Sequence, residues 1–189
     1  NSYENMGKEN SYVYYGPHWA QAGTAPSRMF KGFSAEGGIK VPGIINYKGK
    51  TDTLKGEFSD QFMTVLDLAP TFLDLAGAEP FDGSYQGKTA HPHIGKSIVP
   101  YLKGEADYIH TADDTVIWEL DGRIAVRKGD WKIIKLPARF GTGDWELFNV
   151  KNDPGERTEL SNEMPEKLEE LKMEWQSYID ANGVILSSD

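Results

Sequence analysis

Cysteine is absent from all 189 residues. That excludes disulfides, thiolate metal ligands and a cysteine nucleophile within this stretch, and it leaves the redox compartment open. Long apolar runs are missing too. Nothing approaches the roughly 18 consecutive apolar residues of a bilayer-crossing helix, so no such span is expected. The opening Asn1 to Asn10 carries neither the apolar centre of a secretory leader nor an initiator Met. A processed chain, or a piece of something longer, is therefore expected, with periplasmic, secreted and cytoplasmic homes all left open. Positive charge is scarce: Lys+Arg number 20 against 29 Asp+Glu, a formal net charge of −9. This balance argues against gripping a nucleic-acid backbone or adhering to an anionic membrane, and neither partner is expected.

What is present suffices for one core and a small satellite. Residues 1–35 are rich in Gly, Ser, Asn and aromatics without clear periodicity. Tyr12, Tyr14, Tyr15 and Trp19 need a partner surface. Connections average about 4–6 residues, so an irregular arm of this length is expected to lie against a body outside this stretch or to drive self-association through its rings.

The run Ile39 to Ile45, bounded by Gly37-Gly38 and Gly49, reads as a strand whose Pro42 argues for a sheet edge or a strand end. Apolar positions from Phe62 to Ala76 wrap a largely buried helix with Gly77 as its left-handed cap. Pro70 forbids one uninterrupted helix, so a turn should end near Asp67, whose side chain then caps a second segment. A short helix over 96–102 follows a loop at 79–95. Four β-prone runs come next: Thr115–Leu120, Arg123–Arg127, Trp131–Leu136 and Trp145–Val150. Asp121-Gly122 and Gly129-Asp130 separate the first three, which predicts a meander. Residues 165–181 form a helix whose stripe of Leu168, Leu171, Trp175, Tyr178 and Ile179 should pack on one sheet face. The fold class is α+β. The expected division is 1–109, with the arm, the strand at about 39–45 and helices at about 62–76 and 96–102, followed by a small sheet-and-helix subdomain over 110–189.

Among residues suited to chemistry, His91 and His93 lie two apart in a loop with Glu79 and Asp82 upstream, but spacing fixes no third ligand of a zinc site. His18 and His110 show no recognisable Asp or Ser partner. The acidic pairs Asp113-Asp114 and Glu119/Asp121 read as solvated hairpin ends rather than as a glycosidase pair. Asp153-Pro154-Gly155-Glu156 lacks the alternating oxygens of a calcium loop and reads as a turn. Lys31 stands in Ala25-Pro26-Ser27-Arg28-Met29-Phe30-Lys31-Gly32, followed by Glu36-Gly37-Gly38. A lysine so flanked can reach into a cleft and offer a compact cation to an oxyanion, although surface lysines are common and spacing alone favours that plainer reading.

The segment Tyr14 to Arg28, Lys31-Gly32-Phe33, Glu36 to Pro42, the Asp67-Leu68-Ala69-Pro70-Thr71 helix, Gly95-Lys96-Ser97-Ile98 and Trp145 to Val150 with Asp153 to Glu156 occur in one order. That series resembles the C-terminal third of bacterial arylsulfatases, of the alkaline phosphatase-like superfamily. The resemblance implies a large α/β catalytic domain completed by residues 1 to about 100, and a subdomain of four antiparallel strands packed by the final helix. It implies hydrolysis of a small-molecule sulfate ester by a formylglycine nucleophile, with calcium and cationic side chains bearing the charge on the sulfuryl oxygens. No serine here begins the family's Cys/Ser-x-Pro/Ala-x-Arg motif, and the calcium ligands would lie upstream of Asn1. This chain is thus expected to hold no cofactor itself, to need the remainder of the catalytic domain as its partner, and to be inactive alone. The family's sulfate-contacting lysine lands on Lys31, with His18 and Arg28 as further substrate-binding candidates. Phosphonate or phosphate monoester hydrolysis within the superfamily, and a stand-alone carbohydrate-binding or interaction module stacking its rings on a ligand, are the alternatives.

Overall fold

The structure is a computed structural model that describes residues 2–12, 14–47, 56–78 and 83–186. After a 3-10 turn at Tyr3–Asn5 come α1 (Gly16–Thr24), α2 (Glu36–Ile39), a 3-10 turn at Val65–Asp67 and α3 (Leu68–Leu75). A short hairpin of β1 (Ser84–Tyr85) and β2 (Lys88–Thr89) precedes α4 (Val99–Leu102). The chain closes with β3 (Thr115–Leu120), β4 (Arg123–Lys128), β5 (Trp131–Lys135), β6 (Trp145–Asn149) and α5 (Pro165–Asn182). No helix among the described residues is long and apolar enough to cross a membrane.

Two compact units emerge: residues 1–41 with 115–189, and residues 42–114. In the first, β3-β4-β5-β6 form an antiparallel meander in sequence order. Asp121 and Gly122 both have positive φ, the conformation of a tight two-residue hairpin turn. Ile124, Val126, Ile133 and Leu147 face α5, meeting Leu171 and Trp175 as the hydrophobic stripe requires. The opposite face is covered as well. Ala125, Ile134, Leu136 and Phe148 pack with Ala35, Met29, Phe33 and Phe140. Burial on both faces explains the consecutive apolar residues Ile124-Ala125-Val126 in β4 and Ile133-Ile134 in β5, where a half-buried strand would alternate.

This second layer corrects the expected division at 109/110. Residues 28–36, assigned by sequence to the first part, fold onto the sheet; Ser34 Oγ donates to the Ile124 carbonyl at 3.1 Å. The strand expected at 39–45 is also corrected. Ile39 ends α2, and residues 40–47 run without a ladder partner among the described residues. Pro42 supplies no N–H, and Ile44 is 96% exposed.

In the second unit, Gly77 takes the left-handed cap as expected (φ +66°). Asp67, however, does not cap α3 with its side chain. It closes a capping box one turn earlier: Thr64 N–H donates to Asp67 Oδ2 at 2.6 Å, and Leu66 N–H to Thr64 Oγ1. The helix expected over 96–102 is shortened to α4 because Lys96 N–H is drawn to Asp67 Oδ1 at 2.8 Å, leaving Ser97 Oγ to accept from Val99 N–H. Ile44, Tyr47, Phe72, Leu75 and Ile98 help to line an open apolar cleft of about 260 Å³.

Candidate functional site

Lys31 sits on a loop held from several sides. Thr24 Oγ1 donates to the Met29 carbonyl at 2.6 Å, Gly37 N–H to the Arg28 carbonyl at 2.8 Å, and Phe33 N–H to the Phe30 carbonyl at 3.1 Å. On the far side of Lys31, Arg123 Nη1 donates to the Gly32 carbonyl at 2.8 Å, and its guanidinium lies over Phe33 and Phe140. Gly37 and Gly38 let this loop close on α2. A Cβ on Gly37 would stand 2.1 Å from the Met29 oxygen, and one on Gly38 would stand 2.0 Å from the Phe33 oxygen. Lys31 itself is exposed and makes no hydrogen bond or ion pair among the described residues. Beside it, Phe30 joins Tyr14, Tyr15, Pro17 and Ala20 around a shallow apolar concavity of about 380 Å³.

Beneath the loop lies a buried ionic cluster. Lys132, on the sheet face opposite α5, is fully buried; its Nζ pairs with Glu36 Oε1 and Glu156 Oε1, each at 2.8 Å. Glu36 N–H donates to Glu156 Oε2 at 3.2 Å. Arg28 adds a second cation, pairing through Nη1 and Nη2 with Glu146 at 3.1 and 3.3 Å and through Nε with Glu156 at 3.5 Å. Its guanidinium also lies 5.0 Å from the centre of the Phe148 ring. Near Glu36, burial lowers the pKa of Arg127 from its ordinary value, against the pull of the Glu36 and Asp130 carboxylates. Sequence reading missed this cluster because Arg28 and Glu36 meet hydrogen-bond partners that lie 96 to 120 residues away in the chain.

The other candidates are scattered. His18 is exposed on α1, and His91 and His93 are exposed in their loop, while Glu79 and Asp82 lie outside the described residues. Glu119 Oε1 accepts from Gly122 N–H and so closes the hairpin. His110, expected to lack a partner, has one: its Nε2 is 3.0 Å from Asp67 Oδ2, and its Nδ1 is 3.8 Å from Asp114. Burial raises the Asp67 pKa, but donation from Lys96 N–H, His110 and Thr64 N–H outweighs it and holds the carboxyl below its usual value. Among the described residues no three His, Asp or Glu side chains converge as a metal cage. These residues therefore do not fit a calcium ion, which needs several converging oxygens.

The family model described as "N-sulphoglucosamine sulphohydrolase, C-terminal" matches residues 28–181. The chain belongs to this sulfatase family. It is 40% identical over its whole length to an uncharacterized sulfatase of Schizosaccharomyces pombe, and 40% identical over 99 residues, 52% of the chain, to an arylsulfatase of Klebsiella aerogenes. It spans 34% and 21% of the lengths of those two relatives. Among solved structures, Ps i-CgsB superposes with a TM-score of 0.67 at 25% identity, covering 82% of this chain and 32% of that one. The sulfatase match contains Arg28, Lys31 and every member of the buried cluster; His18 precedes it.

Proposed function

We propose that this chain is the C-terminal third of a sulfate-ester hydrolase of the arylsulfatase type, and that Lys31 is the cation it brings to the reacting ester. One observation carries the reading. Arg28, Lys132 and Arg123, the cations around the loop, are all committed to carboxylates or a carbonyl, whereas Lys31 Nζ is left pointing to solvent from an anchored backbone. An uncommitted ammonium carried on an anchored backbone is suited to a sulfuryl oxygen that gathers negative charge as the S–O bond breaks. Calcium and formylglycine, supplied by residues outside this chain, would provide charge neutralisation and the nucleophile. Arg28 acts indirectly in this reading, by anchoring the loop. His18 is a substrate-side group, with a smaller share of binding.

The test is Lys31→Ala in the longer enzyme that carries this chain, assayed on an aryl sulfate with a phosphate monoester in parallel. Losing one charge-stabilising donor should lower kcat/KM by about 10² to 10³, mostly in kcat. Lys31→Arg should rescue little, because a planar fork does not occupy the place of a point-like ammonium. Activity within about threefold of the parent would remove Lys31 from the reaction.

A further inference from the structure

The turn Asp153–Glu156 touches the Lys31 loop from the small sheet subdomain. Asp153 Oδ2 accepts the N–H groups of Arg157 and Thr158 at 2.6 and 2.8 Å, fixing the turn. Gly155 is so close to the arm that a Cβ would stand 3.2 Å from the Pro26 carbonyl oxygen. Glu156 follows with φ +51°, a left-handed conformation that a non-glycine residue keeps only where its surroundings impose it. Its fully buried carboxylate takes Lys132 Nζ and Glu36 N–H, and faces Arg28 Nε. Arg28 and Glu36 flank the loop that carries Lys31.

Stability alone is a weak reason for such an arrangement, since well-packed apolar groups usually serve as well as a buried ion pair. What an ionic cluster of fixed partners does supply is geometry. Resting on the Lys31 reading, we propose that Glu156 is a positioning residue: through Arg28 and Glu36 it fixes the backbone from which Lys31 reaches the substrate. The Asp-Pro-Gly-Glu turn then belongs to the site although it touches no substrate.

A double-mutant cycle in the longer enzyme tests this on an aryl sulfate, with folding checked by thermal unfolding. Displacement of a catalytic group by about 1 Å costs up to about 10²-fold, so Glu156→Gln should lower kcat by about ten- to a hundredfold. KM should stay within about threefold, since little uniform binding is lost. Combined with Lys31→Ala, it should add less than about a further twofold, because both act through one ammonium. If Glu156→Gln does not fold, Glu146→Gln loosens Arg28 from the less buried side, and its smaller kcat loss should vanish in the same way on the Lys31→Ala background. Folded variants with the parent's kcat, or losses that multiply, overturn the positioning role while leaving Lys31 in place. A Lys31→Ala enzyme of near-parental activity overturns the Lys31 reading and this inference together.

Discussion

Asp67 gathers three groups of its unit, Thr64, Lys96 and His110, onto one carboxylate. Thr64 N–H and Lys96 N–H donate to its two oxygens, His110 Nε2 lies 3.0 Å away, and its own carbonyl accepts from Thr71 Oγ1. Its side chain is fully buried, so each donor offsets a desolvation cost that would otherwise favour the protonated form. The donors prevail, and the folded pKa lies below the ordinary aspartate value. The stabilisation from this group is therefore present above the unfolded pKa of about 3.9 and is lost as pH falls through the lower folded value. Amide exchange at Thr64 and Lys96, followed from pH 6 downward after correction for intrinsic rates, should lose protection below about pH 4. In Asp67→Asn the protection should be low throughout, with no such step; an unchanged pH profile would mean another group controls this unit.

Among the elements, the α5 seam should dominate stability. Trp175 is 6% exposed, meets Trp145 edge-on at 6.4 Å and stacks on Tyr178 at 5.8 Å, with Leu171 fully buried beside it. Trp175→Ala should cost about 3–5 kcal/mol in denaturant unfolding, and a loss below about 1 kcal/mol would mean that the helix is not held by this ring. This element was the most legible in the sequence, because its evidence is local: a heptad-like stripe, Pro165 at its start and Gly183 at its end. The first three strands of the meander were legible for the same reason, their two hairpins being written in the adjacent turn residues Asp121-Gly122 and Gly129-Asp130. The run at 39–45 misled, because β-branched residues beside Gly and Pro describe extended backbone equally well with or without a neighbouring strand. Lys132 was not legible in the sequence. Its charge suggests a solvent-facing position in β5, yet it is buried, because two carboxylates from distant segments receive it.

At the scale of the whole molecule, the sequence reading recognised that residues 1–35 need a partner surface and found only half of it. Residues 28–36 meet theirs on the sheet, through contacts no periodicity could show. The rings of Tyr12, Tyr14, Tyr15 and Trp19 stay between 71% and 85% exposed, beside the concavity at Phe30. Spacing offered Lys31 as one possible cation and the resemblance implied its role; the anchoring of its loop became visible only with the fold. In the proposed enzyme the reaction needs three things at once: an activated nucleophile, a metal ion and oriented cations. The sequence has no cysteine, and none of its serines opens the formylglycine motif. Nor do its described residues gather a metal cage. An ammonium can stabilise charge that develops on an oxyanion, but without a nucleophile no such charge develops. The 189-residue chain, purified alone and given a chromogenic aryl sulfate with excess calcium, should therefore release no phenol beyond a boiled control. Calcium titration of the same sample should show no site tighter than about millimolar, since tighter binding requires several converging oxygens. Turnover by the isolated chain would place a nucleophile among these residues and refute its assignment as the cation-bearing third of a longer hydrolase.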